Sequence, residues 1–115
     1  MELDKYQEDA ATTAIYPDRG HAWGISYVSM QLAAEVGEVV QIIAKLVRDT
    51  DFRLTGTIKP EVLIKLKKEL GDVKWCVGEI ASQLNFKLSD IAQINLEKLQ
   101  GRKERGTLQG SGDDR

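Results

Sequence analysis

Two short acidic signatures hold the residues of this 115-residue chain best suited to chemistry. Glu35-Val36-Gly37-Glu38 and Glu69-Leu70-Gly71-Asp72 each read acid, apolar, glycine, acid, and one overlies the other at an offset of 34 positions. The same offset pairs Val28 with Val62, Leu32 with Leu66, Val39 with Val73, Ile43 with Val77 and Leu46 with Ile80, so two helices of one design are expected. At about 100° per residue, Leu32, Val39, Ile43 and Leu46 mark an apolar sector, with Glu35 at its margin between Val28, Val39 and Ile42, and Glu38 about 60° further round. Glu69 and Asp72 repeat this among Val62, Val73, Cys76 and Ile80. A solvated acidic face would lie opposite the apolar sector. These carboxylates border it, and burying an unpaired carboxylate costs several kcal/mol.

No Lys or Arg stands three or four positions from Glu35, while Glu38 reaches only Lys45, and Glu69 and Asp72 only Lys65 and Lys68. Interhelical salt bridges are therefore poorly supplied, and a divalent cation is the economical counter-charge. Four oxygen donors with no His beside them, and with the one nearby Cys, Cys76, read as a core residue, suit Mg²⁺, or Mn²⁺ as a substitute, and not Zn²⁺. Glu35, Glu38, Glu69 and Asp72 are the expected metal ligands.

To converge, these side chains need helices that meet at the right height. The periodicity predicts all-α structure with helices over about 4–15, 24–48, 60–84 and 90–104. Asp4 and Gln7 form a capping-box pattern for the first helix. Tyr16-Pro17-Asp18-Arg19-Gly20 breaks it, Pro60 opens the third and Ser89 is the expected N-cap of the fourth. Glu38 and Glu35 stand 11 and 14 residues before Asp49, and Glu69 and Asp72 stand 9 and 12 residues after Pro60. At about 1.5 Å per residue, an antiparallel hairpin of helices two and three puts both pairs at one level. Gly37 and Gly71 are expected to let the backbones approach there. Residues 1–105 read as one domain, and the glycine-rich 106–115 as a mobile or ligand-ordered tail.

Composition narrows the partners. A formal charge of −2 argues against a nucleic-acid surface, and one Cys with one His builds neither a disulfide framework nor a zinc site within one chain. With no signal-peptide pattern and no apolar run long enough to span a bilayer, a cytoplasmic protein with no membrane partner is expected.

The segments Ala34-Glu35-Val36-Gly37-Glu38-Val39 and Lys68-Glu69-Leu70-Gly71-Asp72-Val73-Lys74-Trp75, with Asn95-Leu96-Glu97-Lys98-Leu99 downstream, resemble the MazG-like nucleoside triphosphate pyrophosphohydrolases of the all-α NTP-PPase superfamily. The resemblance runs from Tyr6 to about Lys103. It implies a four-helix, bundle-like MazG fold around a central antiparallel hairpin, assembled as a homodimer or homotetramer. It also implies Mg²⁺-dependent cleavage of a (d)NTP between the α and β phosphates, giving the monophosphate and pyrophosphate, as in nucleotide-pool housekeeping. Carboxylate-held Mg²⁺ would neutralise the triphosphate and acidify a water, and Glu38 is the candidate catalytic base. Related specificities are those of phosphoribosyl-ATP pyrophosphohydrolase or of dUTP- or dCTP-preferring enzymes. The rival of another class is a non-catalytic helical interaction protein with a structural metal.

Further residues are candidates for substrate contact. Asn95, Lys98 and Arg102 share one helix face, Asn95 for the substrate and the two cations for phosphate oxygens or, more blandly, a solvated stripe. His21 and Trp23, with Tyr27, would line a nucleobase pocket or else pack in a core or interface. Trp75, about 120° from Glu69, is expected at a subunit interface, and Cys76 in the core. Apolar positions outside the main sector, Ala33, Val40, Val47, Leu63, Ala81 and Trp75, predict helical contacts between subunits.

Overall fold

A helix of 24 to 28 residues has room to bury one stripe along its length and carry a functional group at its middle, and the chain has two of them. In a computed structural model describing residues 1–115, α1 (Leu3–Ala11), α2 (Ala22–Asp49), α3 (Phe52–Thr55), α4 (Pro60–Gln83) and α5 (Leu88–Arg105) follow in order, with no strands. Pro60 occupies the first turn of α4, where its missing N–H costs nothing, and Glu61 beside it favours the positive helix end. Gly106 closes α5 at φ 70°, and Thr107 N–H donates to Arg102 O at 2.8 Å, an αL ending that glycine adopts without strain. No helix is long and apolar enough to cross a membrane.

The expected hairpin is present: α2 and α4 form the principal packing interface, α1 lies on α4, and α5 packs on α1. Val28, Ile42 and Leu46 of α2, Cys76 and Ala81 of α4 and Leu88 of α5 form the buried apolar set. Ile43 is 43% exposed because it sits about 100° round from buried Ile42. Ala81, expected between subunits, is 2% exposed within the single chain.

Several local expectations are corrected by long-range partners. Asp4 and Gln7 do not cap α1, which starts at Leu3 with no side-chain cap. Asp4 accepts from Ser89 N–H at 3.0 Å and Ser89 Oγ at 2.7 Å, bonds that hold its carboxyl below the usual range. Gln7 donates to Ser82 Oγ and Phe86 O and accepts from Leu88 N–H at 2.8 Å. The capping-type residues of α1 thus satisfy the orphan donors at the start of α5. α5 accordingly begins at Leu88, with Lys87 at the cap position that Ser89 was expected to fill.

Gly37 and Gly71 are not points of close approach, since a Cβ at either would meet nothing within 4 Å. Gly24 is: a Cβ there would lie 2.3 Å from Asp18 O, so α2 can begin against the 12–21 loop only with glycine at this position.

The chain is open for its size. Its radius of gyration is 17.3 Å, where a compact domain of this length has about 13 Å. Its surface is 8480 Å², where a monomer of 12.8 kDa exposes about 6,300 Å². Val36, Val40, Val47, Leu63, Ile64 and Leu70 on the hairpin, and Ile91, Ile94, Leu96 and Leu99 on α5, are more than a third exposed.

Candidate active site

Three of the four expected ligands come together. Glu35 from α2 and Glu69 and Asp72 from α4 each offer a carboxylate oxygen within 4.8 Å of the other two. The three-residue spacing of Glu69 and Asp72 keeps both on one face of α4, and the antiparallel packing brings Glu35 to their level. None of the chain's five ion pairs involves Glu35, Glu38, Glu69 or Asp72. Burial pushes the Glu35 carboxyl above its usual range, and the charges of Asp72, Glu69 and Glu38 push it further. Glu38 lies outside this set of three: one turn along α2 it is exposed, and no counter-charge draws it toward its like-charged neighbours.

The three oxygen donors fit a hard divalent cation such as Mg²⁺, since no nitrogen or sulfur donor joins them and repulsion is otherwise unrelieved. Glu35 makes the metal-free state sensitive to pH. Its folded pKa is raised, so its contribution to stability is fully present below the ordinary value of 4.5 and is lost as pH rises through the higher folded value. The metal-free protein should therefore melt progressively lower across that window. At neutral pH, Mg²⁺ at about 100 times its dissociation constant should add about 2.7 kcal/mol. Thermal melts with Mg²⁺ or chelator check both, and melts indifferent to Mg²⁺ would count against cation binding here.

A cavity of about 400 Å³ opens beside the carboxylates, walled by Glu35, Gln31 and Tyr27 of α2, by Asp72, Trp75 and Cys76 of α4, and by Thr13, Ile15, Tyr16 and Pro17. Tyr16 stacks on Tyr27 with ring centroids 5.2 Å apart and planes 17° from parallel, and it meets the edge of Trp75 at 6.1 Å and 77°. Trp75 Nε1 donates to Thr13 Oγ1 at 2.8 Å. Trp75, expected at a subunit interface, is thus a wall of this cavity, because the 12–21 loop folds over its side of α4. Cys76 is buried as expected, and burial first, then the charges of Glu35 and Asp72, push its thiol up.

The other candidates lie elsewhere. His21 is exposed just before α2 and Trp23 is 76% exposed, and neither lines the cavity. Asn95 and Lys98 line a separate, more apolar cavity of about 450 Å³ with Phe86, Ile91 and Ile94. The tail after Gly106 turns back along α5. Asp113 Oδ1 accepts from Lys98 Nζ at 2.9 Å and from Arg102 Nη2 at 3.2 Å, and the Lys98 bond and charge, then Arg102, hold the Asp113 carboxyl low. Arg102 is 8% exposed, although a solvated or phosphate-facing position was expected of it.

Tyr16, Arg19, Trp75 and Glu79 carry structure around the cavity that motif reading missed. A signal did exist, since Trp75 and Glu79 follow Asp72 at i+3 and i+7 and share its face.

Comparison with known proteins agrees with the geometry. The chain is 48% identical over 118 residues to the Gene 37 protein of Mycobacterium phage L5, with both chains covered in full. No solved structure matches it significantly. The MazG nucleotide pyrophosphohydrolase domain matches residues 26–107, which span both acidic signatures, the cavity-lining parts of α2 and α4, and all of α5. With its paired helices and clustered carboxylates, the chain belongs to the MazG nucleotide pyrophosphohydrolase domain family.

Proposed function

We propose that the protein hydrolyses a nucleoside triphosphate between the α and β phosphates, releasing the monophosphate and pyrophosphate. The observation that carries this is the convergence of Glu35, Glu69 and Asp72 beside an aromatic cavity that Glu35 and Asp72 help to wall and that is large enough for part of a nucleotide. Mg²⁺ held by those carboxylates would supply charge neutralisation for the triphosphate and acidify the attacking water. Glu38, one turn from Glu35 and outside the set of three, remains free to orient that water and take its proton. Tyr16, Tyr27 and Trp75 offer ring faces and edges to a base, a contact worth about 1–3 kcal/mol per stacked ring.

The working unit on this reading is a homodimer or a dimer of dimers. The surface exceeds that of a monomer of this mass by about 2,000 Å² per chain, and burying it between two copies falls in the range of obligate homodimers. α5 lacks extensive packing on α2, so its Asn95 and Lys98, like the exposed His21 and Trp23, would serve a neighbour's cavity, while Arg102 is buried against Asp113.

A panel of all NTPs and dNTPs with Mg²⁺, read by pyrophosphate release, tests the function. At least one nucleotide should turn over with stoichiometric monophosphate. If none did, and melts still responded to Mg²⁺, the protein would be a metal-bound interaction module.

A further inference from the structure

We propose that Glu79 is a positioning residue that sets the aromatic wall of the cavity through Arg19 and Tyr16. This rests on the nucleotide-hydrolysis reading and adds a determinant of how the nucleoside part is held. Glu79 is 1% exposed near the C-terminal end of α4, where a carboxylate is costly unless fully paired. Both of its oxygens are used. Arg19 Nε donates to Oε1 at 2.8 Å and Arg19 Nη2 to Oε2 at 3.0 Å, a two-point fork, while Tyr16 OH donates to Oε1 at 3.3 Å.

The pair belongs to a ladder. Trp75, Glu79 and Gln83 stand at i, i+4 and i+8 on α4, and each bonds the loop between α1 and α2. Trp75 holds Thr13, Glu79 holds Tyr16 and Arg19, and Gln83 donates to Tyr16 Oη at 2.5 Å and accepts from Gly20 N–H at 3.2 Å. The same face of α4 reaches Asp72 one turn below Trp75, so one rigid helix sets the height of the loop and of a candidate metal ligand together.

An apolar side chain at Glu79 alone would leave the Arg19 guanidinium, 37% exposed, without its partner, and removing one member of such a pair costs stability. Nor would such a side chain fix direction. The fork and the phenol bond hold Tyr16 where its ring stacks on Tyr27, meets Trp75 and walls the cavity that opens on Glu35 and Asp72. A wall shifted out of place would stack the base less well, and losing one such contact weakens binding by about five- to a hundredfold.

Two variants test this, Glu79→Met, which keeps volume and removes the fork, and Tyr16→Phe, which keeps the ring and loses its hydroxyl bonds. Glu79→Met should still fold, melting lower than wild type because Arg19 loses its partner, and should raise the nucleotide KM at least tenfold with kcat changed by less than about threefold. Tyr16→Phe should raise KM in the same direction. Inhibition by inorganic triphosphate, which has no base to stack, should stay unchanged in both. An activity-independent reading comes from Trp75 emission in a Trp23→Phe background, which should shift to the red when Glu79→Met unpegs the loop. A wild-type KM together with unshifted emission would overturn the proposal. If the unmutated protein released no pyrophosphate from any nucleotide, the functional reading would fall, and Trp75 emission would still decide whether Glu79 sets the wall.

Discussion

Replacing Asp72 by Asn should leave a folded protein whose turnover is lower by at least about a thousandfold, a loss of about 4 kcal/mol of transition-state stabilisation. Asp72 lies at the exposed side of the carboxylate cluster, makes no side-chain hydrogen bond or ion pair, and helps push the Glu35 carboxyl up. The substitution therefore removes repulsion from the metal-free fold, and the variant should melt at or above wild type in chelator. It should also lose most of the melting shift that Mg²⁺ confers. Glu61→Gln, in the exposed first turn of the same helix, controls for charge and should stay within twofold of wild type. Pyrophosphate release and circular-dichroism melts read both quantities. Near-normal turnover of Asp72→Asn with Mg²⁺ would remove the proposed site.

A comparably large effect is expected from mixing two inactive subunits. If cavities are shared, an Asp72→Asn chain and a Trp23→Ala chain are each dead alone. Co-refolded in equal amounts they should regain about a quarter of wild-type activity, because half the dimers are mixed and each mixed dimer has one intact site of two. Trp23 suits the test because it is 76% exposed and absent from the walls of its own chain's cavity. Self-contained cavities would regain nothing, since every site would then carry one of the two substitutions. Light scattering at micromolar concentration provides the companion measurement. The active species should weigh a multiple of 12.8 kDa, and a monodisperse active monomer at that mass would refute the assembly.

The apolar stripe of α2, the stripe of α4 and the three-residue spacing within each acidic pair are local and periodic, so they could be read without any fold. Once the turn between the helices was bracketed by Asp49 and Pro60, rise per residue alone brought Glu35 level with Glu69 and Asp72. That much the chain itself determined, along with the poor supply of competing cations. Other features belong to pairs distant in the chain. Glu79 meets Arg19 across 60 positions, Trp75 meets Thr13 across 62, and Asp4 caps a helix that begins more than 80 residues later. Helical periodicity tells which face a side chain occupies but not which segment will cover that face. For Asp4 and Gln7 the local pattern misled, since a capping-type side chain can serve any orphan N–H within reach and these two bond those of α5. For Trp75 and Glu79 the cover is an irregular loop, whose path depends on Gly24 admitting Asp18 and on Gln83 accepting from Gly20. Only the folded chain settles such a path, because a loop without periodicity gains its direction from the partners it finds.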